Sequence, residues 1–139
     1  MEPDQPHVVV VGAGFAGLEA AKSLGRAEDV RGTIVDRRYH HRFQPLVYQV
    51  ATAALDPSDV AAPIRGVLGG AGNTEVMLAE VSSIDRPGRT VRFADGGSVG
   101  YDHLILATGA QDNYFGHSDW AEHAPGMKSI EDALEVRRQ

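Results

Sequence analysis

The feature that most restricts how this chain can fold is Val8-Val9-Val10-Val11-Gly12-Ala13-Gly14-Phe15-Ala16-Gly17, a short apolar run ending in three spaced glycines. The spacing is G-x-G-x-x-G, directly after a candidate strand and directly before a candidate helix, which marks a dinucleotide-binding fingerprint. Each glycine has its own work. Gly12 makes the tight turn out of the strand, Gly14 lets the backbone approach a pyrophosphate, and Gly17 removes a side chain where the helix packs close to the sheet. The helix that opens here aims its N–H groups and positive dipole end at phosphates.

The next segments extend that start into a βαβ unit. Leu18 to Leu24 reads as helix, with Ala16, Ala20 and Ala21 suited to close packing and Gly25 as its C-terminal cap. A second strand, Thr33-Ile34-Val35, ends in Asp36, nineteen residues past Gly17. An acid there accepts hydrogen bonds from an adenosine ribose and repels a 2′-phosphate, which disfavours NADP despite the neighbouring Arg37 and Arg38. The plainer alternative is a capping or solvated aspartate. At this point FAD and NAD fit the loop equally.

The remaining chain reads as support. His40 and His41 lie in a basic cluster with no Cys, Asp or Glu at ligand spacing, so a surface segment is favoured over a metal site. A helix is expected from Ser58 as N-cap, ended by Pro63 and the glycines from Gly66 to Gly72. Glu75 to Ile84, Thr90 to Phe93 and Ser98 to Ala107 have strand length and pattern, separated by Pro87-Gly88 and Asp95-Gly96-Gly97. They predict a small antiparallel meander whose last, apolar strand is buried on both faces and ends in Ala107-Thr108-Gly109. Ser129 and Asp132 stand at capping-box spacing before a final helix with Ile130, Ala133, Leu134 and Arg137 on one face.

Composition excludes several classes. A net charge of −6 disfavours general nucleic-acid binding, and the absence of cysteine excludes disulfides and thiolate zinc sites. Glu2 and Asp4 among prolines do not resemble a signal peptide, and no apolar run reaches the roughly 20 residues of a membrane span. A cytoplasmic location is the default expectation.

Taken in order, these motifs resemble the two-dinucleotide-binding flavoproteins. Within that superfamily, Phe43-Gln44-Pro45-Leu46-Val47-Tyr48-Gln49-Val50-Ala51-Thr52 resembles a signature of the type II, non-proton-pumping NADH dehydrogenases. So do Asp59-Val60-Ala61-Ala62-Pro63-Ile64-Arg65, Asn113-Tyr114-Phe115-Gly116-His117, Trp120 and Ala124-Pro125-Gly126-Met127-Lys128. The resemblance runs from Val8 to Arg138 and implies an α/β fold: a Rossmann-like FAD-binding βαβ unit with a small antiparallel meander, incomplete.

The resemblance further implies that Gly12, Ala13, Gly14, Phe15, Ala16 and Gly17 form the FAD pyrophosphate loop, with Asp36 as the ribose acid and Arg37 beside the adenine. Val81 matches a backbone contact to that ring, and Ala107, Thr108 and Gly109 the segment crossing near the phosphates. Gln44 and Pro45 match a segment approaching the flavin, whereas Tyr48 is expected in the core. Enzymes of this family are roughly three times longer, with a second glycine fingerprint for NADH and a membrane-attaching region. Residues 1–139 are therefore expected to be the N-terminal part of an FAD-binding domain, inactive alone and retaining FAD weakly or not at all. The parent enzyme would pass electrons from NADH through FAD to quinone, attached peripherally to the inner face of the membrane; a homodimer is left open. The alternatives are a stand-alone dinucleotide-binding module without catalysis, or part of another flavoprotein of the disulfide-reductase, sulfide:quinone or ferredoxin reductase type.

Overall fold

The computed structural model describes residues 5–139; Glu2 and Asp4 lie outside them. The chain divides into two compact units, one of the chain up to Tyr39 with Pro63–Gly109, the other of His40–Ala62 with Ala110–Gln139.

The first unit is built on a parallel sheet. β1 (His7–Val11) leads through the glycine loop into α1 (Phe15–Leu24) and then β2 (Arg31–Asp36). Later strands β5 (Thr74–Leu78) and β9 (His103–Leu106) join the same sheet, in the spatial order β5-β2-β1-β9. All its pairings are parallel, with Val9 opposite Thr33 and Leu104, and Ile34 opposite Val76. The order turns back at β1, whose two neighbours are β2 and the much later β9. That reversal defines the crevice of a doubly wound fold.

Why β1 is a run of valines follows from its two faces. Side chains alternate across a strand, so a central strand covered on both sides is apolar throughout. Val10 and Ile34 face one way, onto Leu18 and Ala21 of α1 and onto Ile64 and Leu68. Ile64 opens α3 (Ile64–Val67). Val9, Val11 and Val35 face the other way, onto Val91 and Phe93. Those two residues belong to an antiparallel meander of β6 (Val81–Asp85), β7 (Thr90–Phe93) and β8 (Ser98–Gly100). The unit is thus three layers: helices, parallel sheet, meander.

One side chain ties the return from α1 to the sheet. The Asn73 amide donates to the carbonyls of Leu24, Ala27 and Val30 at 2.9, 2.6 and 3.0 Å. The Asn73 backbone carbonyl accepts Gly32 N–H at 2.9 Å. Gly25 caps α1 as expected, donating to Ala21 and Ser23 carbonyls, but in right-handed geometry (φ −62°). Its glycine is explained by crowding, because a Cβ there would run into the Ala71 side chain.

The second unit pairs β3 (His40–Arg42) with β4 (Ala61–Pro63) and packs α2 (Val47–Ala51) against α4 (Ile130–Arg138). Val47, Val50, Val60 and Ala133 form its core, with Ile130 and Leu134 packed alongside. The capping box of α4 forms as its spacing predicts. Ser129 Oγ accepts Asp132 N–H at 3.0 Å, and Asp132 Oδ2 accepts Ser129 N–H at 2.7 Å.

Five expectations are corrected. Glu75 to Ile84 is not one meander strand; it breaks at Ala79-Glu80 into β5, parallel in the main sheet, and β6 of the meander. Ser98 to Ala107 likewise breaks into β8 and β9. β9 is not buried on both faces: it lies at a sheet edge with one neighbour, leaving Leu106 61% and Ile105 36% exposed. No helix starts at Ser58. Asp56 and Asp59 instead box a single 3-10 turn, Pro57–Asp59, after which the chain extends into β4. Tyr48 is exposed rather than in the core, because Val47 and Val50 occupy the buried face of α2.

Candidate functional site

The glycine loop, Asp36 and Ala107–Gly109 meet at the carboxyl ends of β1, β2 and β9. Gly12 leaves the strand at φ +100°, a left-handed conformation that a side chain would strain. A Cβ at Gly12 would also collide with the carbonyl of Ala107, so the loop and the Ala107 segment are in direct backbone contact. Gly17 is equally constrained. A Cβ there would strike the Gly12 carbonyl, with the Ala107 side chain at 3.4 Å. The first and third glycines therefore serve packing within the protein.

Gly14 behaves differently. Nothing lies within 4 Å of a Cβ built on it, and its φ of −72° suits any residue. Nothing among the described residues accounts for its lack of a side chain, which is what a surface kept clear for a ligand backbone or phosphate would show. Gly14, Phe15 and Ala16 are exposed, whereas Ala13 is buried. Gly14 is also the N-cap of α1; no side chain caps the helix and no acid occupies its first turn. The N-terminus of this ten-residue helix thus presents its positive dipole end at the glycine loop.

Asp36 is fixed by two backbone donors: Ala13 N–H to Oδ2 at 2.7 Å and Arg38 N–H to Oδ1 at 2.8 Å. The first bond pins the glycine loop to the end of β2. Carboxylate oxygens accept two hydrogen bonds each, so both retain capacity for a ribose hydroxyl. Arg37 follows, exposed. Ala79 N–H donates to the Asp36 carbonyl at 3.0 Å, which brings the link between β5 and β6 beside the acid. Val81 begins β6 two residues later, paired with Phe93 next to a bulge. Ala107 N–H donates to Val11 carbonyl at 2.8 Å, Thr108 is exposed, and Gly109 turns at φ +71° with open space where a side chain would stand.

All of these residues therefore lie in the first unit, around the point where the strand order reverses. Gln44 and Pro45 stand in a 3-10 turn of the second unit. The fit of a dinucleotide rests on three observations: the clear space at Gly14 and Gly109, the uncapped helix end, and the positioned carboxylate of Asp36. Sequence reading missed the Asp36–Ala13 bond, whose only signal is the pairing of an acid with the fingerprint. Among the described residues no group of three or more His, Cys, Asp or Glu could hold a metal ion.

The sequence model for pyridine nucleotide-disulphide oxidoreductases matches residues 6–139, nearly the whole chain. The chain belongs to this family. Among characterised relatives it is 48% identical over 138 residues to the type II NADH:quinone oxidoreductase Ndh of Mycobacterium tuberculosis, covering 97% of this chain and 30% of that protein. It is 49% identical over 134 residues to NdhA of the same organism, covering 94% of this chain and 28% of the relative. The chain thus spans less than a third of the length of these relatives. Among solved structures, the sulfide:quinone oxidoreductase of Aquifex aeolicus superposes with a TM-score of 0.87 at 29% identity, covering 96% of this chain and 31% of that one. NDH2 from Plasmodium falciparum, solved in complex with NADH, gives 0.81 at 22% identity over 96% and 28%, and shares the fold. No helix among the described residues is long and apolar enough to cross a membrane.

Proposed function

We propose that this chain holds the adenosine and pyrophosphate portion of FAD in an NADH:quinone oxidoreductase. One observation carries the reading: Gly14 is kept clear in a loop that Asp36 and Ala107 fix from either side. In this reading Gly12, Ala13, Gly14, Phe15, Ala16 and Gly17 surround the pyrophosphate through backbone N–H groups. Asp36 accepts from the ribose, Arg37 lies beside the adenine with Val81 as its backbone contact, and Ala107, Thr108 and Gly109 close the crevice. FAD when bound supplies the two-electron chemistry, accepting hydride and passing electrons on; the protein's part is to bind and orient it.

The activity is drawn from the relatives named NADH:quinone oxidoreductases at 48% and 49% identity, which favour it over the sulfide:quinone reading at 29%. NADH and quinone are accordingly partners of the complete enzyme, working in the cytoplasm or peripherally at the inner membrane face. The chain corresponds to the N-terminal part of the FAD-binding domain.

Gly14→Ala tests the cofactor reading without disturbing the fold, because the added methyl meets no protein atom. FAD titrated into both proteins, followed by flavin fluorescence, should bind at least about tenfold more weakly to the variant, with thermal melting unchanged. Equal binding, or no binding by either protein, would contradict the proposal.

A further inference from the structure

Asn113-Tyr114-Phe115-Gly116-His117 and Trp120 take no part in the cofactor reading, and they lie in the second unit. His117 N–H donates to the Tyr114 carbonyl at 2.9 Å, closing a four-residue turn. Both central residues are left-handed, Phe115 at φ +53° and Gly116 at φ +91°. Asn, Asp or Gly is the usual first central residue of such a turn, with Gly second. A bulky aromatic in the first place is uncommon, because its Cβ crowds the backbone. The surrounding chain holds it there all the same. Asn113 Oδ1 accepts the Phe115 N–H at 2.8 Å, and Tyr114 Oη donates to the Ala124 carbonyl at 2.6 Å.

The ring held in this way is not used for packing. Phe115 is 82% exposed, the most of any large apolar side chain among the described residues. Two residues on, His117 stacks on Trp120 with ring centroids 4.2 Å apart and 6° between the planes. Trp120, the chain's single tryptophan, is still 49% exposed. It belongs to the 3-10 turn Ser118–Glu122, which also carries Asp119 and Glu122. Both acids are exposed and in no ion pair among the described residues. Lys128 of the same unit is engaged elsewhere, its Nζ donating to the Gln111 carbonyl at 2.9 Å and lying 3.9 Å from Asp112.

We propose that the Phe115 turn and Trp120 dock a separate protein through an arginine-bearing apolar segment. Apolar side chains of that segment cover the Phe115 ring, which a strained backbone keeps outside the fold. A guanidinium lies on the exposed part of the Trp120 indole, the ring that attracts cations best, and pairs with Asp119 or Glu122. Charge decides against the other occupants. An anionic bilayer would repel the two carboxylates, and a zwitterionic one would leave them without a partner. A second copy of the chain would bring the same acids against them.

Trp120 fluorescence reads the surface directly. The probes are three amphipathic peptides that share the same leucines and carry Arg, Gln or Glu at the polar positions. The Arg peptide should shift Trp120 emission to the blue saturably, and less so as salt is added. The Gln peptide should bind at least about tenfold more weakly, and the Glu peptide should have no effect. Phe115→Asn, a residue that left-handed backbone accepts, should weaken the Arg peptide about tenfold with thermal melting not lowered. Equal binding of the Arg and Gln peptides would remove the role of the carboxylates and overturn the proposal. So would no response to the Arg peptide, undiminished binding in Phe115→Asn, or a lower melting temperature in that variant. A blue shift with phosphatidylcholine or phosphatidylglycerol vesicles would assign the surface to lipid instead, and emission that changes with chain concentration would assign it to self-association. The comparison of peptides on the unaltered chain stands even where the variant fails to fold. FAD titration reads residues of the other unit, so failure here and failure of the cofactor reading are distinguishable.

Discussion

At the scale of single residues, the three fingerprint glycines separate into two kinds. Gly12 and Gly17 are required by the protein itself, because side chains there would enter the Ala107 and Gly12 carbonyls. Gly14 meets no such obstacle among the described residues, which fits a surface left open for a ligand. His7 shows a different kind of constraint. It is buried at the start of β1, with Nε2 2.8 Å from Thr33 Oγ1. Burial, joined by the Arg31 cation, lowers its pKa below the usual 6.5, against the Gly100 carbonyl and the carboxylates of Asp102 and Glu75. The sign follows from proton counting. Below about pH 6.5 the unfolded imidazole takes up a proton that the folded one resists, so stability is full above that pH and is lost as pH falls. His7→Gln should flatten this dependence in urea unfolding compared at about pH 7.5 and about pH 5.5. Equal losses in both proteins would show that His7 does not titrate against the fold.

Elements show what could and could not be read from the chain. β1, α1 and β2 were legible because their signals are local: a valine run, glycine spacing, and an acid at the strand end. The α4 cap was legible for the same reason. Ser129→Ala removes the hydroxyl that accepts Asp132 N–H and should cost about 0.5–2 kcal/mol in denaturant unfolding, within the usual range for an N-cap. A loss near zero would mean that α4 is held by Ala133 and its neighbours alone. The Asp132 carboxylate is perturbed in the same arrangement. Burial pushes its pKa up, but Ser129, the N–H groups of Lys128 and Ser129, and Arg42 outweigh it and hold the carboxyl below its ordinary value.

Other elements depended on partners far along the chain. The break at Ala79-Glu80 carries no glycine or proline, and whether β5 pairs parallel with β2 or antiparallel with β6 is a tertiary choice. Tyr48 sits beside Val47 on a short helix, and only the packing of α2 on α4 decides which of them is buried. Asn73, which joins three carbonyls of the α1–β2 connection, follows Gly72 in the sequence, and its partners lie more than forty residues earlier. The loop of the site was therefore visible at once, whereas the placement of Ala79 beside Asp36 depends on where β5 lies.

At the scale of the molecule, two units each carry their own apolar cluster, and every residue assigned to the cofactor lies in one of them. The chain aligns with less than a third of the length of its NADH:quinone relatives, and in the proposed reading its part is to hold the cofactor. The exposed Leu106 and Ile105 on β9 leave apolar surface beside the crevice, and FAD binding by this chain is expected to be weak and lost on desalting. The most direct test is to titrate FAD into the isotope-labelled chain and follow its backbone amides. The amides of Gly12, Ala13, Gly14, Asp36 and Ala107–Gly109 should shift together and saturate. No shift at these positions with excess FAD, or shifts confined to the second unit, would contradict the assignment of this loop as the FAD site.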